Sequence, residues 1–139
     1  MGKYRREHEE RNKTLVEAAA ASGEIEPKGR HDNGRDVAED IRGKARTLGF
    51  GEVGFTKHDR HYTYASKKRW AKYRHAICLA LEQDYSATQT IPSLEAEAAH
   101  GEAYERQGAL TRELVDYIHS LGYRCQVSGP TWYYGPVIP

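Results

Sequence analysis

Cysteine is almost absent from this chain. Cys78 and Cys125 are the two it has, and they lie far apart in sequence. An iron–sulfur cluster normally takes four thiolates at short spacings, so the chain cannot hold a four-cysteine cluster by itself. Long apolar runs are also missing: none approaches the ~20 residues that a membrane helix needs. Charge of one sign is lacking too. Lys plus Arg (21) nearly cancel Asp plus Glu (20), leaving a formal net charge of +1. Without a strong overall field, neither nucleic acid nor an anionic membrane is an expected partner. Mean hydropathy is −0.85, low for a compact domain, and a polar N-terminal third accounts for part of it.

Familiar catalytic signatures are absent. There is no G-x-G-x-x-G, no phosphate-binding P-loop, no G-x-S-x-G and no H-E-x-x-H. Seven histidines are present, with His58 and His61 an i, i+3 pair and His8 and His31 in polar arms. Nothing clusters at ligand spacing, so they read as scattered, solvated side chains and no metal site is expected. Arg5-Arg6 is followed by Glu7-His8-Glu9-Glu10 rather than an apolar stretch, which rejects a twin-arginine export signal. A cytoplasmic protein with reduced cysteines is the resulting expectation, Cys78 and Cys125 being buried as small hydrophobes within strands.

What is present is an ordered series of elements. Residues 3–22 have helix-forming composition with a thin apolar stripe, and read as a peripheral helix. Residues 23–34, GEIEPKGRHDNG, have linker chemistry. Val37, Ile41, Ala45 and Leu48 share one face of a first core helix over 35–48, which Gly49 stops. Phe50, Val53 and Phe55 then imply a short strand, weakened by Gly51 and Gly54.

The stretch 57–74 is polar, basic and aromatic, with a short helix expected over Ser66–Tyr73. Aromatics beside cations can stack on bases. The region is short and the rest of the chain adds no matching charge, so it reads as a loop whose aromatics pack on the core edge. Ala76–Leu81 is continuously apolar, as in a strand buried on both faces. Ser93 suits the cap of a helix running to Leu121, with Glu95 and Glu97 in its first turn. Leu110, Leu114, Tyr117, Ile118 and Leu121 line its buried face, Gly122 ends it, and Tyr123–Val127 reads as another strand. An aromatic, Pro/Gly-punctuated tail follows. The order implies an α/β (α+β) layered domain with a small sheet, divided as an arm and linker (1–34) and an α/β unit (35–139).

Tyr85 is the candidate for chemistry. It follows Asp84 just beyond the carboxyl end of the Ala76–Leu81 strand, where ligands of α/β sheets commonly sit. A tyrosine there can donate a proton if a nearby cation lowers its pKa from ~10. The competing reading is a loop tyrosine that packs its ring and hydrogen-bonds its hydroxyl.

Four segments in one order carry a resemblance: IRGKARTLGFGEVGFT (Ile41–Thr56), YRHAICLALEQDY (Tyr73–Tyr85), TQTIPS (Thr88–Ser93) and ELVDYIHSLGYRCQV (Glu113–Val127). The sequence resembles the cobalamin-dependent reductive dehalogenases and, more distantly, the epoxyqueuosine reductases. The resemblance implies part of a nitroreductase-like α/β/α sandwich that binds a corrinoid, with electrons supplied by two iron–sulfur clusters and halide removed from an organohalide. It implies Tyr85 as proton donor, assisted by a later basic residue that has no counterpart before Pro139. A Gly-Leu-Gly segment and a ferredoxin-like cysteine region, also implied, are not in the sequence. The expectation is therefore the N-terminal portion of a reductive dehalogenase-like protein, contributing to a cobalamin site. Its expected partner is a downstream catalytic and ferredoxin-like region, or a second subunit. Two alternatives stand beside it: a non-catalytic scaffold or dimerisation domain of the same fold, forming a homo-oligomer, and a nucleic-acid module using Lys67–Arg74.

Overall fold

The structure is a computed structural model, which describes residues 10, 13–14, 17, 21–32, 34–65, 68–69 and 71–127. Helix α1 spans Ala38–Leu48, strand β1 Glu52–Lys57, strand β2 His75–Ala80, the single-turn helix α2 Tyr85–Thr88 and helix α3 Leu94–Ser120. Single 3₁₀ turns lie at Ser22–Glu24 and Arg60–Tyr62. Glu10, Lys13, Thr14, Glu17 and Ala21 of the arm are helical and exposed. The aromatic tail after Val127 lies outside the described residues, as do Ser66, Lys67 and Trp70.

The two long helices end by the same device. Gly49 takes the left-handed conformation at φ 115°, and the amides of Gly49 and Phe50 donate back to the carbonyls of Arg46 and Ala45. Gly122 does so at φ 89°, with the amides of Gly122 and Tyr123 donating to His119 and Ile118. Both are Schellman closures, in which an αL glycine satisfies the last carbonyls and an apolar residue folds back on the final turn. The sequence writes them as Leu48-Gly49-Phe50 and Leu121-Gly122-Tyr123. At its other end α3 is capped by Ser93, whose Oγ accepts the Ala96 amide at 3.0 Å, with Glu95 and Glu97 in the first turn.

The apolar faces of α1 and α3 meet over one side of the sheet. Ile41, Ala45, Phe50, Val53, Leu114 and Ile118 form the buried core, with Val37, Leu110, Ile77 and Leu79 packed around it. The strands are antiparallel, Val53 facing Leu79 and Phe55 facing Ile77. Alternation turns these four toward the helices. Glu52, Gly54 and Thr56 pair with Ala80, Cys78 and Ala76 on the opposite face, which no described element covers.

Four expectations change here. β2 is not buried on both faces: none of its residues is fully buried, and His75, Cys78 and Ala80 are exposed, because helices cover one side of the sheet only. Cys78 is exposed on the open face and Cys125 is half-buried. Tyr123–Val127 forms no strand; the Val127 amide donates to Ser22 Oγ at 2.8 Å, so the segment meets the 22–24 turn instead of a sheet edge. Nor are the described residues of Ser66–Tyr73 helical.

Residues 22–32 are irregular yet firmly seated. The Lys28 amide donates to the His119 carbonyl at 3.1 Å, and the Tyr73 hydroxyl reaches the Gly23 carbonyl at 3.4 Å. Lys72 pairs with Glu24 at 2.5 Å, holding that carboxyl below its ordinary pKa, and Arg124 pairs with Glu26. The segment runs so close to the end of α3 that a Cβ on Gly122 would lie 2.3 Å from the His31 amide nitrogen. Gly122→Ala combines that backbone clash with a positive φ. It is expected to cost about 2 kcal/mol or more, measured as a lowered urea midpoint.

Candidate functional site

The carboxyl end of β2 is where the chain assembles polar side chains around a cleft. Asp84 leads the short α2, and its Oδ1 accepts the Ala87 amide at 2.8 Å while its carbonyl accepts from Thr88 Oγ1 at 2.6 Å. Asp84 is therefore spent as a helix cap. Tyr85, the first residue of α2, is 72% exposed and is not among the residues that line the cleft.

Leu81, Gln83, His100, Ala103, Tyr104 and Gln107 enclose that cleft, of about 190 Å³. His100, Tyr104 and Gln107 come from successive turns of α3, at i, i+4 and i+7 on one helix face. The hydrogen bonds settle the histidine tautomer. Thr88 Oγ1 gives its only proton to the Asp84 carbonyl, so it accepts from Gln83 Nε2 at 2.9 Å. That orientation turns Gln83 Oε1 toward His100 Nδ1 at 3.1 Å, and an amide oxygen can only accept. His100 thus carries a proton on Nδ1, and its ring stands edge-on to Tyr104 with centroids 4.7 Å apart. Gln83, His100 and Tyr104 were not singled out by sequence. The signal that points to them is the i, i+4 spacing of His100 and Tyr104 on the less apolar half of α3.

A second concavity, of about 560 Å³, lies where residues 26–31 cross the end of α3, with Arg30, His31, Tyr123 and Arg124 on its walls. His31 Nδ1 donates to the Gly122 carbonyl at 3.3 Å. Pockets that enclose drug-sized ligands span about 300–1,000 Å³. A corrinoid is larger than such ligands, so neither concavity fits one enclosed by the described residues alone.

The remaining histidines are not all solvated, as their scatter implied. His119 is 2% exposed, because the closing turn of α3 points it inward. Its Nε2 lies 3.6 Å from Cys125 Sγ. His58 is half-buried: Nδ1 donates to the Tyr73 carbonyl at 3.2 Å and Nε2 faces Thr63 Oγ1 at 2.8 Å. With both nitrogens engaged, His58 ties the ends of the β1–β2 loop and does not act as an i, i+3 metal ligand with His61. Among the described residues no group of three or more His, Cys, Asp or Glu is placed to hold a metal ion. Nor is any described helix long and apolar enough to cross a membrane.

The Cys125–His119 contact has the atoms of a thiol–imidazole dyad but not its electrostatics. Burial, and secondarily the charge of Asp116, push the thiol up from 9.0 to about 11. It stays protonated near neutral pH and is a poor nucleophile. No family profile, curated protein or solved structure matches the chain.

Two thiol measurements follow. Cys78 is expected to react with a disulfide reagent at neutral pH well before Cys125, and Cys78→Ser to remove the fast phase. Cys125 also links stability to alkaline pH. Between about pH 9 and 11 the unfolded chain has lost the thiol proton and the folded chain has kept it, so stability falls as pH rises through that window. Urea midpoints from pH 8 to 11 should decline, and Cys125→Ala should remove part of the decline.

Proposed function

We propose that this chain is the N-terminal portion of a cytoplasmic, reductive dehalogenase-like protein and contributes one wall of a cobalamin site. The observation that carries this reading is the one-sided sheet. Two antiparallel strands have helices on one face, with the loop bearing Tyr85 exposed at the carboxyl end of β2. On this reading the unit is one part of a nitroreductase-like α/β/α sandwich, whose other layer and further strands a downstream region or second subunit would supply. The four ordered segments that resemble the family fall on α1–β1, on β2 with the start of α2, on the loop to α3 and on the last turns of α3.

In the complete protein the carbon–halogen bond is replaced by carbon–hydrogen. Two electrons and a proton enter, and halide leaves. Iron–sulfur clusters of a downstream region would supply the electrons, and this reading assigns the proton to the Tyr85 hydroxyl. The exposure of Tyr85 at 72% leaves it accessible to a substrate held between this chain and its completing partner.

Titration with hydroxocobalamin, followed in the visible spectrum, tests the reading. A saturable spectral shift is expected, with Tyr85→Phe binding as the parent does. An unchanged spectrum with a folded far-ultraviolet circular dichroism signal overturns a corrinoid wall in this chain. One observation favours a second reading, a non-catalytic scaffold or dimerisation unit. Ile91 and Leu94, six and nine residues after Tyr85, are each 67% exposed, and the sheet has an uncovered face. Static light scattering giving a dimer mass, in a sample without corrinoid affinity, would select it.

A further inference from the structure

We propose that the β1–β2 hairpin loop is a binding surface for single-stranded nucleic acid. The near-neutral total charge conceals a segregation. Residues 57–75 hold seven Lys and Arg and one Asp, so they carry +6 of a chain that totals +1, and all other residues together carry −5. The strand register converts this into geometry. Lys57 pairs with His75 at the loop end of the ladder, and Glu52 pairs with Ala80 at the other. Beyond that second end come Glu82, Asp84, Glu95 and Glu97. Six-residue strands separate the two end pairs by roughly 17 Å, more than a Debye length at physiological salt. An anionic strand approaching the loop is therefore largely screened from the acidic end.

The loop is built rather than slack. The Arg60 guanidinium donates to the carbonyls of Ala71, at 3.1 Å, and Lys68, at 2.6 Å. His58 bridges Thr63 and Tyr73, and its amide donates to the Arg74 carbonyl at 2.7 Å. The loop's one carboxylate, Asp59, is occupied by the His61 amide at 2.8 Å. Lys72 is committed to Glu24. Lys57, Lys68, Arg69 and Arg74 are exposed, and among the described residues none of them pairs with a carboxylate.

An aromatic surface accompanies them. Tyr62 is 73% exposed, the most exposed large hydrophobic residue described, and His61 supports it edge-on with centroids 5.7 Å apart. Cations that neutralise phosphates, beside a ring on which any base can stack, are the parts of a sequence-tolerant single-strand binder. The ring also selects between polyanions. A membrane surface would call for exposed aliphatic side chains in the loop, and Tyr62 is its one large exposed hydrophobic among the described residues. The expectation of no nucleic-acid partner rested on the shortness of this region and on total charge, and total charge averages away the separation that the register reveals.

Fluorescence anisotropy of a labelled 15-nucleotide oligothymidylate, titrated with the full chain, tests this. Four phosphate contacts imply that affinity falls about 50-fold between 50 and 200 mM salt. Lys68→Glu with Arg69→Glu should weaken binding at least tenfold and flatten that salt dependence. Tyr62→Ala should weaken binding about tenfold with the salt dependence unchanged. Arg112→Glu, on α3, should leave binding within twofold, with circular dichroism confirming that each variant is folded. Absence of binding at 50 mM salt overturns the proposal. So does an equal loss in Arg112→Glu, an unchanged affinity in Tyr62→Ala, or binding to phosphatidylserine vesicles without binding to the oligonucleotide.

Discussion

Two left-handed glycines decide how this chain is laid out. Gly49 turns α1 into β1, and Gly122 turns α3 into the segment that meets the 22–24 turn. In each case the residue after glycine, Phe50 or Tyr123, folds back on the helix it has just left, Phe50 into the core and Tyr123 against it. The direction in which each helix hands over the chain is thereby set by backbone hydrogen bonds together with that apolar contact. Gly122 carries a further constraint. The linker backbone at Arg30 and His31 lies where its Cβ would be, so the seating of residues 22–32 depends on the absence of a side chain there. The Lys28 amide then gives the end of α3 an additional donor, at the His119 carbonyl.

From those closures the one-sided sheet follows. Helices α1 and α3 approach from the same side, and the alternation of β1 and β2 puts the apolar pairs Val53–Leu79 and Phe55–Ile77 on that face, with Lys57–His75 at its loop end. The other face is small and polar: Gly54, Thr56, Ala76, Cys78 and Ala80 with Glu52. Small residues on that face are compatible with close approach of another layer, and they also keep an uncovered face from presenting bulky apolar groups to water.

The long-period features were legible in sequence. The α1 stripe, the Ser93 cap, the Leu110–Leu121 face and both glycine stops are local signals, and each is where the pattern put it, except that α1 opens at Ala38 rather than at residue 35, with Val37 as its non-helical N-cap. What was not legible depended on partners remote in sequence. HAICLA reads as a doubly buried strand because apolarity reports hydrophobic content, while burial of its second face needs another layer. Cys78 shares the face of Gly54 through its register, which no local window contains. At the candidate site, Tyr85 stood out through its position after a strand. The Gln83–His100 bond joins a loop to a helix 17 residues on, and becomes visible only when α3 is laid beside β2.

Total charge is the clearest instance of a sequence property that misleads until it is placed. A balance of 21 basic and 20 acidic residues describes an even surface and a strongly divided one equally well. The antiparallel pairing makes the division physical, because a hairpin sends its loop and its strand termini to opposite ends of one ladder. The basic loop thus lies far from the Asp84-Tyr85 region and the cleft formed with His100 and Tyr104. The two ends draw on separate residues and separate elements. The scaffold they share is the core of α1, β1, β2 and α3, so substitutions at one end that leave that core intact leave the other end in place.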